Sequence, residues 1–239
     1  MSTPGPAEGR VLIALCTYNE RENLPLLIPA LRAAVPHADL LFVDDNSPDG
    51  TGDFVRCVNT TDPQVQLLHR EKKEGLGVAV RAAIRHSIEQ RYDYLVNLDA
   101  DFSHPPTMIP TLLAAMSHTD VAIASRYVPG GGVVGWPWQR QVMSWCINTY
   151  VRGILGLRTR DNSGSFRCYR VSLLERARLS EVYCRGYAVF EELLFRLKQV
   201  GARMKELPYT FEERRFGVTK INGKEALRAL VNIASLRLR

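Results

Sequence analysis

The sequence predicts an α/β domain on a mostly parallel central sheet, and three observations carry that expectation. Strand-like apolar runs alternate with helix-like runs through the first half of the chain. Two of those strand-like runs end in acidic, turn-forming segments, where open α/β sheets bind ligands. The 239 residues, 46% of them apolar, suffice for one sizeable core.

Taken in order, the strands are expected at Val11–Leu15, Leu40–Val43, Val65–His69, Tyr94–Leu98 and Asp120–Ser125, short runs rich in Val, Ile and Leu. Longer segments of helical pattern fill the gaps: Asn23–Val35, Thr51–Asn59, Leu76–Gln90 and Pro106–Ser117. The second half is less regular. Pro129-Gly130-Gly131-Gly132 is a breaker, followed by an amphipathic stretch to about Leu157. Arg160–Gly164 reads as a loop, Ala188–Val200 as a helix and Arg203–Phe211 as a strand. The expected organisation is a disordered tail over 1–9, a domain over 10–222 with an amphipathic segment at 136–157, and a basic amphipathic helix over 223–239.

Asp99-Ala100-Asp101 closes the apolar run from Tyr94. Two carboxylates two residues apart face one cleft only if the strand geometry breaks between them. So placed, they repel unless a cation lies between them, and a hard divalent ion that also takes substrate phosphates resolves the conflict. A second acidic pair, Asp44-Asp45, ends another strand-like run and leads into Asn46-Ser47-Pro48-Asp49-Gly50-Thr51-Gly52, dense in turn formers. The two clusters point to one site, with Asp49 and Thr51 also suited to shaping the turn and capping the next helix. Gly75-Leu76-Gly77 lacks both the dinucleotide fingerprint and a P-loop Gly-Lys-Ser/Thr, so it reads as a close-packed helix start.

Charge placement and cysteine usage bound the setting. From Trp136 to Arg160 there are four arginines (140, 152, 158, 160), all three tryptophans and no acidic residue. From Thr210 to Arg239 seven basic residues stand against three acidic ones. An anionic surface is the natural partner, and interfacial Trp beside Arg suits a helix lying on a membrane. No helix-turn-helix, RNP or zinc-finger pattern supports nucleic acid. Five cysteines without a C-x-x-C pair fit a reducing compartment, where the sequon Asn59-Thr60-Thr61 would go unused. No run approaches a membrane-spanning length, and the first nine residues lack a signal-peptide pattern.

A set of motifs, in order from Thr17 to Lys220, gives this pattern a family resemblance. They are Thr17-Tyr18-Asn19-Glu20-Arg21-Glu22-Asn23-Leu24, the turn from Asp44 to Thr51, Asp99-Ala100-Asp101-Phe102-Ser103-His104-Pro105-Pro106, Ser125-Arg126-Tyr127, Ser163-Gly164-Ser165-Phe166-Arg167, Glu191-Glu192 and Phe211-Glu212-Glu213-Arg214-Arg215-Phe216-Gly217-Val218-Thr219-Lys220. The chain resembles the polyprenol-phosphate hexose synthases, above all dolichyl-phosphate mannosyltransferases. These are inverting glycosyltransferases of the GT-A (nucleotide-diphospho-sugar transferase, Rossmann-like) fold. Cys16 stands where relatives often carry Pro, and Gly-Val-Thr-Lys replaces the commoner Gly-Glu-Ser-Lys.

The resemblance implies transfer of mannose from GDP-mannose to a polyprenyl (dolichyl) phosphate with a Mg²⁺ or Mn²⁺ cofactor. The enzyme would sit peripherally on the cytoplasmic face of a membrane, by itself or on a small membrane-anchoring subunit. The alternatives are glucosyl transfer from UDP-glucose and a silent sugar-nucleotide-binding module. Thr17, Tyr18, Glu20, Val43 and Asp45 would line the donor site. Asp99 and Ala100 would hold the ribose–diphosphate region, and Asp101 would ligate the metal, assisted by Asp99, with Ser103 nearby. Arg126, Arg214 and Lys220 would contact phosphate, and Arg140 would join Arg126 and Arg214 at the acceptor. Asp99, Asp101, Arg126, Arg214 and Lys220 are thus the expected catalytic set. Glu191-Glu192 fits a helix surface and an approach to the sugar equally well, whereas His104 reads as a turn-shaping residue. Ser163 and Ser165 lack the Gly-X-Ser-X-Gly elbow of a hydrolase.

Overall fold

The computed structural model describes residues 9–179, 182–184, 186–212 and 233–237. Its main sheet has seven strands in the order β3-β2-β1-β4-β7-β5-β8. These are β1 (Val11–Thr17), β2 (Asp39–Asp44), β3 (Val65–His69), β4 (Tyr94–Asn97), β5 (Val121–Ser125), β7 (Arg167–Arg170) and β8 (Met204–Pro208). The pairs β1–β2, β1–β4, β2–β3 and β5–β8 are parallel, while β7 runs antiparallel between β4 and β5. A separate parallel pair joins β6 (Gly132–Val134) to β9 (Thr210–Glu212).

The period-2 geometry of buried strands explains the unbroken apolar runs. Val11, Ile13 and Leu15 of β1 and Leu40 and Phe42 of β2 enter one core layer. It is covered by α1 (Leu24–Ala34), α2 (Thr51–Asn59) and α4 (Ile109–Ala115) through Leu27, Val55 and Leu112. Leu12, Ala14, Leu41 and Val43 enter the other, against α3 (Leu76–Glu89), α6 (Val171–Arg176) and α7 (Val189–Gln199). The crossovers β1–α1–β2 and β2–α2–β3 therefore lie on one face, and the crossover β3–α3–β4 lies on the other. The chain reverses direction across the sheet between β1 and β4. That switch point opens a crevice beyond the carboxyl ends of the strands.

Three expectations are corrected here. Arg167–Arg170 forms an unexpected central strand, because the fully buried Arg167 hides its character; its guanidinium donates to the carbonyl oxygens of Phe190 (2.8 Å) and Asn162 (2.6 Å). Arg203–Phe211 splits at Tyr209 into β8, in the main sheet, and β9, which leaves it. The glycine run after Pro129 does break the chain, yet Gly132 starts β6. Gly131 is required there, since a Cβ would come within 2.4 Å of the Ser125 carbonyl oxygen. The amphipathic stretch is α5 (Trp138–Leu155), closed by Gly156 at φ 60°. Of the expected terminal helix, residues 233–237 are described. Ile233 and Leu236 are buried in the core, and Arg237 donates to the Ile154 carbonyl oxygen at 3.1 Å.

Candidate active site at the sheet switch point

The loops after β1 and β2 are stitched together over the strand ends. The backbone N–H groups of Asn19, Glu20 and Arg21 donate to Ser47 Oγ, Thr51 Oγ1 and Asp49 Oδ2, each at 3.0 Å. Asn19 and Asn46 take the left-handed conformation, at φ 59° and 55°, that such sharp turns need. Thr51 begins α2 rather than capping it. Its N–H and hydroxyl donate to Asp49 Oδ1 at 3.0 and 2.6 Å. Burial raises the Asp49 pKa, but the bonds from Thr51 and Arg21 outweigh it and hold the carboxyl below its ordinary value.

The two acids of the Asp44-Asp45 pair have different jobs. Asp44 is buried and accepts from Thr17 Oγ1 (3.2 Å), Ser47 N (3.1 Å) and Ser47 Oγ, so it ties both loops to the sheet. Thr17 is thereby a peg between β1 and β2. Asp45 is also buried and accepts from Arg70 Nη1 at 2.6 Å; desolvation raises its pKa, and Arg70 opposes the rise. Val43 lies wholly within the core and can shape a donor pocket only from beneath. Tyr18 carries the Lys73 ammonium 3.6 Å above its ring centroid, and Glu20 accepts from Asn23 Nδ2 at 2.9 Å.

Asp99 and Asp101 both lie just beyond β4, not in a strand that breaks between them. β4 ends at Asn97, and Phe102, just after the two acids, takes φ 62°. A positive φ at a bulky residue is strained, and such strain clusters at functional sites. Asp99 is half-exposed, and its Oδ1 accepts from Ser165 Oγ at 2.9 Å. Asp101 is buried beside Ala100; its Oδ1 accepts from the Ser103 N–H (3.1 Å) and hydroxyl. His104 Nδ1 accepts from the Asp99 N–H at 2.9 Å, which leaves the ring proton on Nε2. The ring stacks on Phe166 at 5.0 Å, and burial lowers its pKa, so it shapes the turn as a neutral group.

Arg126, directly after β5, meets a residue that the motifs had not singled out. Asp161 Oδ2 accepts from Arg126 N (2.9 Å) and Nε (2.8 Å), and Asp161 Oδ1 accepts from Nη2 (2.7 Å). Desolvation works against both charges, but their mutual attraction wins: the Arg126 pKa is raised and the Asp161 pKa lowered. Arg126 therefore arrives at the site with two nitrogens committed, and only Nη1 lacks a hydrogen-bond partner among the described residues. Arg140, expected at the acceptor phosphate, stacks 4.0 Å over the ring of buried Trp136, whose edge meets Phe211 at 5.2 Å. That packing corrects the expectation that all three tryptophans face lipid. Arg214 and Lys220 lie outside the described residues.

The paired glutamates also separate. Glu192 is fully buried and structural, accepting from the N–H groups of Tyr183 (3.1 Å) and Cys184 (2.9 Å) and from Arg196 Nε (2.9 Å). Glu191 is buried too, but its Oε2 has no partner among the described residues. Desolvation pushes its pKa up to about 7, and the charges of Arg167, Asp161 and Arg126 act on it. Asp161, Arg70 and Lys73 are the functional candidates that sequence reasoning missed, and Arg167 stood in a quoted motif without a role. Asp161 had a visible signal, being the sole acidic residue between Asp120 and Glu175.

Two carboxylates thus stand just beyond a strand end at the switch point, beside two loops stitched to each other. The profile of glycosyl transferase family 2 matches residues 12–178. The chain belongs to glycosyl transferase family 2. It is a glycosyltransferase. It is 44% identical over 224 residues to the undecaprenyl-phosphate mannosyltransferase of Micrococcus luteus, covering 94% of this chain and 92% of the relative. It is 42% identical over 232 residues to the polyprenol monophosphomannose synthase of Mycolicibacterium smegmatis, covering 96% and 88%. Among solved structures, a mannosyltransferase from Pyrobaculum calidifontis in complex with GDP-Man and Mn²⁺ matches with a TM-score of 0.59 at 19% identity; the match covers 94% of this chain and 61% of that one. Glucosyl-3-phosphoglycerate synthase from Mycobacterium tuberculosis, in complex with Mn²⁺, UDP and glucosyl-3-phosphoglycerate, matches with a TM-score of 0.66 at 17% identity and covers 97% and 79%. These two establish the GT-A-type fold.

Proposed function

We propose that this glycosyltransferase moves mannose from GDP-mannose to a polyprenyl phosphate with inversion at the anomeric carbon. One observation carries the reading most: Asp99 and Asp101 follow the end of β4 at the switch point, in a chain more than 40% identical to two lipid-phosphate mannosyltransferases. A phosphate oxygen of the acceptor attacks C1 of the mannose, the bond from C1 to the β-phosphate oxygen breaks, and GDP leaves. The acceptor's second pKa is about 6, so near neutral pH it is already mostly a dianion and needs no strong base. What it needs is orientation and relief from charge repulsion.

The residues present fit a divalent cation. Asp99 and Asp101 supply hard oxygen donors close together in the chain. That matches a Mg²⁺- or Mn²⁺-type ion held by one or two carboxylates and completed by substrate phosphates. When bound, the ion neutralises charge on the departing diphosphate. Ser165 and Ser103 hold the two carboxylates in place for it. Tyr18, Glu20 and the Asp45–Arg70 pair border the donor, Arg126 offers its remaining nitrogen to phosphate, and Arg140, Arg214 and Lys220 complete the cationic side.

The same reading puts the enzyme peripherally on the cytoplasmic face of a membrane. No described helix is long and apolar enough to cross one. α5 supports surface contact: Trp138 (70% exposed), Val142, Met143 and Trp145 (59%) face outward on a stretch without acidic residues. Titration of GDP-mannose into the purified protein with Mn²⁺ tests the site. Asp101→Ala is expected to abolish metal-dependent donor binding with an unchanged circular dichroism spectrum. Binding within a factor of about two of wild type would overturn the metal assignment.

A further inference from the structure

Beside α5 lies a cavity of about 170 Å³, lined by Tyr127, Trp145, Asn148, Thr149, Arg152 and Arg160. It is smaller than the roughly 300–1,000 Å³ usual for drug-sized ligands, which suits a compact group. Its two arginines are among those that meet no carboxylate within the described residues. Arg10, Arg32, Arg56, Arg70, Arg126, Arg170, Arg196 and Arg203 all pair with carboxylates. Arg152 and Arg160 are exposed and have no ion-pair partner among the described residues. The side-chain contact of Arg160 is a long one, 3.5 Å from Nη1 to the Tyr127 carbonyl oxygen. The nearby Glu206 carboxylate is already taken by the backbone N–H groups of Arg160 and Asp161 (2.8 Å each) and by Ser125 Oγ (2.8 Å).

The cavity wall is fixed in advance. Tyr127 donates to Ser144 Oγ at 2.6 Å. Buried Asn148 accepts from Asn162 N (2.7 Å) and donates to Ser144 O (2.9 Å) and Ser163 Oγ (3.2 Å). Ser163 in turn accepts from Arg126 Nη2 at 3.2 Å, so Asn148 and Ser163 stand between this cavity and the Arg126–Asp161 pair. Trp145 belongs both to the cavity and to the exposed apolar strip of Trp138, Val142 and Met143.

From this we infer that the Arg152–Arg160 cavity binds the phosphate headgroup of an anionic phospholipid while the adjoining apolar strip enters the bilayer. The inference rests on the membrane reading above. Two unpaired guanidiniums offer forked donors to phosphate. Trp145 sits at the boundary that an amphipathic ring prefers. The wall toward Arg126 keeps this phosphate apart from the reacting one.

The test floats the full-length protein on phosphatidylcholine vesicles with and without phosphatidylglycerol, beside mannosyl transfer to a short-chain polyprenyl phosphate in detergent. Arg152→Gln with Arg160→Gln should cut the phosphatidylglycerol-dependent partitioning by roughly thirtyfold, the loss of two surface cations. Partitioning onto pure phosphatidylcholine and transfer in detergent should not change. Arg158→Gln, an exposed arginine outside the cavity, should have a clearly smaller effect than either single variant. An equal effect of Arg158→Gln would mean diffuse attraction and overturn the site. A raised KM for the short acceptor with an intact phosphatidylglycerol preference would assign the cavity to the acceptor and equally overturn the inference. A wild-type protein inactive with GDP-mannose would instead count against the proposed function and leave the vesicle result to stand by itself.

Discussion

Asp161→Asn tests how the cationic side of the site is built. The Asp161 carboxylate is fully buried and accepts four hydrogen bonds, from Arg126 N, Nε and Nη2 (2.9, 2.8 and 2.7 Å) and from Gly164 N (3.1 Å). An amide keeps the shape but turns one acceptor into a donor that faces another donor, and it leaves the Arg126 charge buried and unpaired. Removing one partner of such a pair costs about 3–5 kcal/mol. For a chain of this size that lowers Tm by roughly 10 °C. Urea unfolding should show the midpoint falling with an unchanged m value. The pair Arg126→Met with Asp161→Leu, which removes both charges, should recover much of the lost stability without recovering activity. A loss below about 1 kcal/mol in Asp161→Asn would mean that water or another group already neutralises Arg126, and the reasoning would fail.

Glu191 should give stability a pH dependence. Its folded pKa of about 7 exceeds the ordinary 4.5, so the folded state holds the proton more tightly. The resulting stabilisation is complete below about pH 4.5 and is lost as pH rises through about 7, up to about 3 kcal/mol. Glu191→Gln should therefore stabilise the protein more at about pH 8 than at about pH 5; an identical effect at both would refute the assignment. Replacing exposed Trp138 and Trp145 by Ser, with buried Trp136 kept, should weaken vesicle flotation at least about tenfold and leave donor KM unchanged. Unaltered flotation would move membrane contact elsewhere.

Much of the fold was legible because its strands are buried on both faces. β1 and β2 fall within two residues of the expected Val11–Leu15 and Leu40–Val43. β7 was not legible, because a central strand reading Arg-Cys-Tyr-Arg looks like surface until the chain supplies carbonyl oxygens to its buried arginine. Periodicity could not show that Trp136 turns inward while Trp138 and Trp145 turn out, since Trp136 precedes α5 and is held by Phe211, far along the chain. At the candidate site, the place of Asp99 and Asp101 at a strand end was legible from the sequence. The division of labour between Asp44, which ties loops, and Asp45, which pairs with Arg70, was not, because adjacent carboxylates look alike until their partners are known. Asp161 escaped for the same reason: its role is defined by Arg126, thirty-five residues away.

The most direct measurement of the central claim is a donor and product assay on the purified chain with Mn²⁺ and a short-chain polyprenyl phosphate. GDP-mannose and UDP-glucose are offered in parallel, and the anomeric configuration of the product is read by NMR. The account predicts a polyprenyl β-mannosyl phosphate from GDP-mannose, with UDP-glucose turned over far more slowly. Preferential use of UDP-glucose, or an α-linked mannosyl product, would contradict it.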